Sequence, residues 1–527
     1  MTNSISEIED AKCLFVIGSN PTEAHPIIGG KILRAKEKGA KLIVVDPRKT
    51  HVSLFADIHL RPELGSDIAL LNGIMHIIIK EDWHNQEFIR ERTEGFGAFE
   101  KKVMEYTPER AEKISGVSMQ DMRTVAELYA KSEGAAIFYT LGITEHIRGT
   151  HGVLSLANLA MLTGNLGQRS TGVNPLRGQN NVQGACDMGA LPNVLSGYQT
   201  VVDKNAREKF EQAWGCILPP EIGITEVEMF YAADAGEIKG MYIFGENPLL
   251  ADPNVNHVKK ALSKLDFLVV QDIFFTEVAQ LAHVVFPGAC FAEVDGTFTN
   301  TERRVQRVRK AVEPVGNSKP NWVILSLLAK AMGSSIFNYE ASEDIFNEIA
   351  NLTPSYGGMN YERLNTRDSL QWPCPTEDHP GTEYLHREKF AKGLGTFTPV
   401  DFEPPAELPN DEYPLQLITG RNIFHYNTGS MTRNCPHLLA EDSENYAEIS
   451  PEDACKLNVQ DGSKVKASSI RGSIKVKARV SERVKQGMVF MPFHFPESVT
   501  NILTNDALDP IAKTPEYKVC AICIEKM

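Results

Sequence analysis

Two short stretches of this chain nearly repeat one another, and together they narrow what it can fold into. Leu14-Phe-Val-Ile-Gly-Ser-Asn-Pro21 is an apolar run ending in Gly-x-Asn-Pro, and Met241-Tyr-Ile-Phe-Gly-Glu-Asn-Pro248 repeats it. Each is followed, about 25 residues on, by a Val-Val strand ending in an acid: Lys41-Leu-Ile-Val-Val45 before Asp46, and Phe267-Leu-Val-Val-Gln-Asp272. In the first copy a helical stretch to about Lys38 joins the two strands, which predicts a βαβ unit with a right-handed crossover. One strand with Gly-x-Asn-Pro would be weak evidence, because Gly and Pro punctuate any strand end. Two copies at nearly the same spacing predict two related, doubly wound (Rossmann-like) nucleotide-binding units.

The chemistry fits such units. Gly18 and Gly245 at the strand ends let a ligand approach the backbone, and the following helix offers its first N–H groups to phosphate. Asn20 and Asn247 supply amide contacts, while Asp46 and Asp272 accept hydrogen bonds from ribose or base. Neither unit has G-x-G-x-x-G, which argues against an ordinary NAD site. Two generic α/β layers with nothing bound are the alternative.

At 527 residues, 42% hydrophobic and 23% charged, the chain has the composition of a globular protein of roughly three or four domains. Its net charge of −14 speaks against general nucleic-acid binding, which needs a basic face. No apolar run is long enough to span a bilayer, and the first ten residues lack the basic and apolar regions of a secretory signal. The nine scattered cysteines suit a reducing compartment, and a cytoplasmic location is expected. Cys520 and Cys523, the one C-x-x-C, fall in an alternating strand-like run and read as core, so no metal ligand is assigned.

Helical periodicity runs from Asp67 to about Ser132, followed by a buried strand at Ala135–Thr140. From about Ala406 the pattern becomes short strands between turns (Pro414–Thr419, Gly462–Ala467, Gly472–Ala478, Gly487–Met491), which predicts a C-terminal β-barrel. Four segments follow: a first α/β dinucleotide-binding domain at 1–180, a second at 181–290, a connecting segment at 291–405 and the barrel at 406–527. Two polar loops of the barrel, Gly420–His425 and Asp509–Lys518, are either surface turns or ligand contacts.

Val173-Asn-Pro-Leu-Arg-Gly-Gln-Asn-Asn-Val-Gln-Gly-Ala-Cys-Asp-Met-Gly189 reads as neither helix nor strand. Its Asn and Gln side chains either cap neighbouring elements or form a polar binding site. Arg177 and Asp187 are its fixed charges, and an arginine is suited to gripping a small carboxylate with two parallel hydrogen bonds.

These motifs, with Val45-Asp-Pro-Arg-Lys49, Leu162-Thr-Gly-Asn-Leu-Gly167 and Thr514-Pro-Glu-Tyr-Lys518, carry a resemblance over essentially the whole chain. It is similar to the catalytic (alpha) subunit of molybdopterin-dependent formate dehydrogenases, within the molybdopterin oxidoreductases. The Arg-Gly-Gln-Asn-Asn string resembles the formate-oxidising branch more than the nitrate or sulfoxide reductases. The resemblance implies a bis(molybdopterin guanine dinucleotide) cofactor carrying Mo or W, one half on each α/β unit, and a barrel of double-psi type closing over both. Asn20, Glu23, Asp46 and Arg48, with Gly65 and Asp67 nearby, would serve the first half. Asn247, Gln271 and Asp272 would serve the second, with Gly245 at its strand end and Gly178 and Gln179 beside the arginine. Arg421, His425, Asn501, Tyr517 and Lys518 would come from the barrel. Arg177 matches the family's formate-orienting arginine. Glu23 and Asn321 stand where Asp is common, and Ala251 where a hydroxyl is common, which bears on single contacts only.

The family pattern also has an upstream cysteine-rich segment for an iron–sulfur cluster, then a cysteine or selenocysteine metal ligand followed by histidine. Met1-Thr-Asn-Ser aligns just past that ligand, so an iron–sulfur cluster is expected only on an N-terminal segment or a partner, and Cys13 and Cys186 are poor substitutes for the ligand. A reading frame begun after a selenocysteine codon and a split gene with a separate N-terminal polypeptide are the two explanations. The implied partners are formate and CO2, an iron–sulfur or flavin electron-transfer subunit, no nucleic acid and no direct membrane insertion. A non-catalytic molybdopterin-fold subunit and a related molybdopterin oxidoreductase acting on another small oxyanion are the competing functions.

Overall fold

The computed structural model describes residues 1–366 and 369–527. The first repeat forms a five-stranded parallel sheet with strand order β3-β2-β1-β4-β5, where β1 is Cys13–Ile17, β2 Lys41–Val45, β3 Ile58–Leu60, β4 Ala135–Tyr139 and β5 Gly172–Pro175. Cys13 lies beside both Lys41 and Ala135, so β1 is flanked on both sides, and all five of its residues are buried. A strand buried on both faces reads as continuous apolar sequence instead of alternating, which is why Cys-Leu-Phe-Val-Ile is legible as a strand. Helix α1 (Pro26–Glu37) makes the first crossover. Helix α2 (Asp67–Lys80) buries eleven consecutive residues from Ile68 to Ile78, and α3 (Gly149–Thr163) ends on Gly164 in the left-handed conformation that helix termini favour.

The Val173–Gly189 run differs from its sequence reading. It opens inside β5, where Val173 and Pro175 pair with Ile137 and Tyr139, and closes as the short helix α4 (Val182–Asp187). Only the turn between them is irregular. The run's three strand residues and six helical ones are too few for either periodicity to emerge from a stretch this polar.

The second repeat is a smaller parallel sheet, order β8-β7-β6, built from β6 (Gly240–Phe244), β7 (Phe267–Asp272) and β8 (Val284–Pro287). Beyond it β9 (Gly296–Thr299), β10 (Arg304–Val308) and β11 (Leu370–Gln371) form an antiparallel sheet in the segment read as a connector.

The C-terminal region is the closed barrel expected from its spaced short strands. Its order is β12-β16-β13-β15-β14-β17, with β12 Leu415–Gly420, β13 Tyr446–Ile449, β14 Lys464–Ser469, β15 Gly472–Val480, β16 Met488–Pro492 and β17 Cys520–Lys526. Two of its pairings are parallel, β12 with β16 and β13 with β15. Its core includes Leu417, Ile449, Val465, Val489 and Ile522. Cys520 is buried in β17 and Cys523 half-buried, so this pair belongs to the barrel wall.

The chain divides into two compact units. One comprises Met1–Leu176, Pro253–Asn256 and Tyr384–Met527, and holds the five-stranded sheet and the barrel. The other comprises Arg177–Asp252 and His257–Glu383, and holds the second repeat and the antiparallel sheet.

Candidate functional site

In the first unit the strand ends of β1 and β2 gather the residues expected there. Gly18 takes a left-handed φ of +53°, and a Cβ on it would lie 2.7 Å from the carbonyl carbon of Gly142. Its N–H donates to Val45 and its carbonyl accepts from the Thr140 hydroxyl, so the turn is held from two sides. Ser19 follows, buried, with a hydroxyl that finds no protein partner among the described residues. Asn20 precedes the short helix Pro21–Ala24 and accepts a hydrogen bond from the Thr22 hydroxyl.

Asp46 accepts from the Arg48 N–H at 2.9 Å. Burial drives its carboxyl up to about 6, with that N–H and the Arg48 charge opposing. The Arg48 guanidinium pairs with Glu448 of β13 at 3.2 Å and lies 3.3 Å over the Phe490 ring, while its buried Nε has no hydrogen-bond partner among the described residues. Glu23 is held by Arg483 at 3.0 Å, and Arg483 also approaches Glu448 at 3.9 Å. Glu23 and Arg48, both expected to touch a ligand, are thus tied to the barrel by a chain of four alternating charges. Sequence reasoning missed Glu448 and Arg483, since a barrel strand with a buried glutamate, Tyr-Ala-Glu-Ile, has no apolar alternation to reveal it.

Gly65 and Asp67 line a cleft with His146, Arg148 and Glu516. Burial raises the Asp67 carboxyl. Burial works against a charged His146 ring, but Glu516 and Asp67 more than offset it and raise its pKa. Glu516 accepts from the Ile147 and Ala406 N–H groups. Lys518 is buried. Its ammonium pairs with Glu145 at 2.7 Å and donates to the Thr419 carbonyl at 3.0 Å. The Tyr517 carbonyl accepts from the Thr419 hydroxyl. His425 is fixed through Thr432 and the Asp442 carbonyl, Arg421 lies 5.7 Å from the Tyr426 ring with its pKa lowered by burial, and Asn501 is buried.

In the second unit the repeat is recognisable in the same places. Gly245 has φ +64° and, among the described residues, nothing within 4 Å of where its Cβ would stand, and its N–H donates to the Gln271 carbonyl. Asn247 donates to Glu277, but among the described residues its buried Oδ1 has no partner, nor has the buried hydroxyl of Thr276. Gln271 donates to Asn321 at 2.8 Å and accepts from the Tyr242 hydroxyl. Asp272 accepts from the N–H groups of Ile273 and Phe274, and burial raises its carboxyl. Burial, with the Glu226 charge, drives Glu246 up to about 7.

Arg177 opens the turn before α4, its N–H donating to the Thr301 hydroxyl at 3.0 Å. Gly178 and Gln179 form the turn itself. Asn181 accepts from the Thr299 N–H at 2.9 Å, so the turn is pinned to the end of β9 on both sides of Gly178-Gln179.

Residues 1–331 match the family model described as Molybdopterin oxidoreductase, and residues 415–521 the model described as Molydopterin dinucleotide binding domain. The chain is 52% identical to the F420-dependent formate dehydrogenase subunit alpha of Methanocaldococcus jannaschii, over 100% of this chain and 78% of the relative. It is 43% identical to Formate dehydrogenase H of Escherichia coli, over 100% of this chain and 74% of the relative. Its fold is also that of Acetylene Hydratase from Pelobacter acetylenicus, at a TM-score of 0.80 and 20% identity, covering 100% of this chain and 79% of that one. The chain belongs to the molybdopterin oxidoreductase family and, within it, groups with the formate dehydrogenase alpha subunits.

Proposed function

We propose that this chain carries the substrate arginine and both dinucleotide cradles of a formate dehydrogenase, in which formate loses two electrons and a proton to become CO2. The observation that carries this is the end-to-end kinship with formate dehydrogenase alpha subunits, in a chain that holds Arg177 on a turn fixed at both ends. The fork of the guanidinium fits the two oxygens of formate, so Arg177 binds the carboxylate and turns its C–H bond toward the reacting centre. That centre is a bis-molybdopterin guanine dinucleotide with molybdenum or tungsten, which when bound accepts the two electrons.

The chain's own atoms suit such a ligand. Among the described residues, Ser19 Oγ, Asn247 Oδ1 and Thr276 Oγ1 are buried after strand ends without protein partners, and buried polar groups are rarely left so unless a ligand or water meets them. Asn20, Glu23, Asp46, Arg48, Gly65 and Asp67 would hold one dinucleotide, and Gly245, Asn247, Gln271 and Asp272 the other. Gly178 and Gln179 would present backbone beside the substrate. Arg421, His425, Asn501, Tyr517 and Lys518 are the barrel's contributions.

By the same kinship the chain is one subunit of a complex, passing electrons through an iron–sulfur centre to a partner and on to F420, the acceptor named for the M. jannaschii relative. A cytoplasmic location is part of the proposal. Purifying the complete enzyme with its native partners tests it. Stoichiometric metal and pterin with formate-dependent reduction of F420 is the expected result. Full metal and pterin with no turnover of formate would overturn the substrate, and their clean absence would leave a scaffold subunit.

A further inference from the structure

The remaining charge in the arginine loop is Asp187, the last residue of α4, and it is 1% exposed. Four donors surround its carboxylate. Oδ1 accepts from Gln183 Nε2 at 2.8 Å and from the Tyr198 hydroxyl at 2.9 Å. Oδ2 accepts from the Tyr356 hydroxyl at 2.6 Å and from the Trp372 indole N–H at 2.7 Å. An ionised carboxylate has about four acceptor positions, so all are filled, and every donor is neutral.

The donors are themselves held. The Tyr356 hydroxyl also meets Thr299 at 2.9 Å, at the same strand end that receives Asn181. The fully buried Arg303 donates to the carbonyl of Trp372 and to those of Thr382 and Glu383. Tyr198 stands at φ +59° after Gly197 at +72°, a turn that aims its hydroxyl at Asp187. Arg177 begins the turn that leads into α4, and that turn and the Tyr356 donor of Asp187 are both tied to Thr299 and Thr301 at the end of β9.

Resting on the formate reading above, we propose that Asp187 is the positioning residue for Arg177: by filling its four acceptor sites it locks α4 and the preceding turn, and so sets where the guanidinium holds the substrate carboxylate. Asp187→Asn keeps the shape but turns one acceptor oxygen into a donor facing an N–H of Gln183 or Trp372, so at least one hydrogen bond is lost and the neighbouring tyrosine hydroxyl must turn to accept. Tyr198→Phe removes a single donor and decides the matter if the first variant does not fold.

The test is a cycle in the complete enzyme: Asp187→Asn, Arg177→Lys and the double variant, each with metal and pterin content measured, and likewise for Tyr198→Phe. Asp187→Asn is expected to lower kcat/KM for formate at least tenfold at unchanged cofactor content, and less than twofold further when Arg177 is already lysine. Tyr198→Phe is expected to show the same coupling at a loss of two- to fivefold. Equal losses in both backgrounds, or a lowered Tm with kcat/KM unchanged, would overturn the positioning role. If Arg177→Lys alone left kcat/KM intact, the formate reading would fail first, and the positioning role with it.

Discussion

Glu448→Ala tests how the first α/β unit and the barrel are joined. Glu448 is 1% exposed and Arg48, its partner at 3.2 Å, has a side chain 8% exposed. Removing one member of a buried pair leaves the other charged and desolvated, which costs about 3–5 kcal/mol. Arg48 keeps the Phe490 face, but that cannot replace a carboxylate in a dry site. In a cooperative unit of about 320 residues, with an unfolding entropy of roughly 2.1 cal/mol/K per residue, the loss corresponds to about 4–8 °C in Tm. Replacing both members, Arg48→Met with Glu448→Met, removes the orphaned charge and should recover most of the drop, because apolar pairs often match buried ion pairs in stability. Differential scanning calorimetry of the three proteins at pH 7 gives the answer. A Glu448→Ala shift under 1 °C, or a double variant no better than the single one, would refute the reasoning.

Two further perturbations separate local causes. Gly18→Ala and Gly245→Ala change the same position of the two repeats, and each sets a methyl group on a left-handed residue at about 1–2 kcal/mol. Gly18 adds a contact of 2.7 Å with the Gly142 backbone where Gly245 meets nothing among the described residues, so Gly18→Ala should lose clearly more stability in chemical denaturation, and equal losses would contradict that. Glu246, with its folded pKa near 7 against an ordinary 4.5, binds its proton more tightly folded than unfolded. Its contribution therefore falls as pH rises from about 4.5 to 7, and Glu246→Gln should be more stable than the parent by about 1–3 kcal/mol at pH 8 and equal to it at pH 4. A difference that did not change with pH would discard the buried-carboxyl explanation.

Much of this fold is legible because the sheet strands are apolar on both faces and end in Gly-x-Asn-Pro or Val-Val-Asp. Those signals are local, and they locate β1, β2, β6 and β7 from the letters alone. The barrel is legible from turn spacing, except β13, where Glu448 is buried only because Arg48, four hundred residues away in sequence, neutralises it. The same holds for the candidate site. Arg177 and the two asparagines stand out by type and spacing, whereas Arg483, Glu145 and Glu516 are ordinary surface-type residues until the fold buries or pairs them. Asp187 is visible in the sequence as a charge, with Gln183 one helical turn before it, but its other three donors, Tyr198, Tyr356 and Trp372, come from segments that no spacing rule connects.

The central claim is that Arg177 grips formate through a two-pronged carboxylate contact. The direct test is steady-state formate oxidation by the complete enzyme carrying Arg177→Lys, with metal and pterin content matched to the parent. Lysine keeps the charge and loses the fork, so one charge-assisted hydrogen bond of about 1.5–3 kcal/mol is forfeited and kcat/KM should fall about 10- to 100-fold. Unchanged kcat/KM at full cofactor content would contradict it.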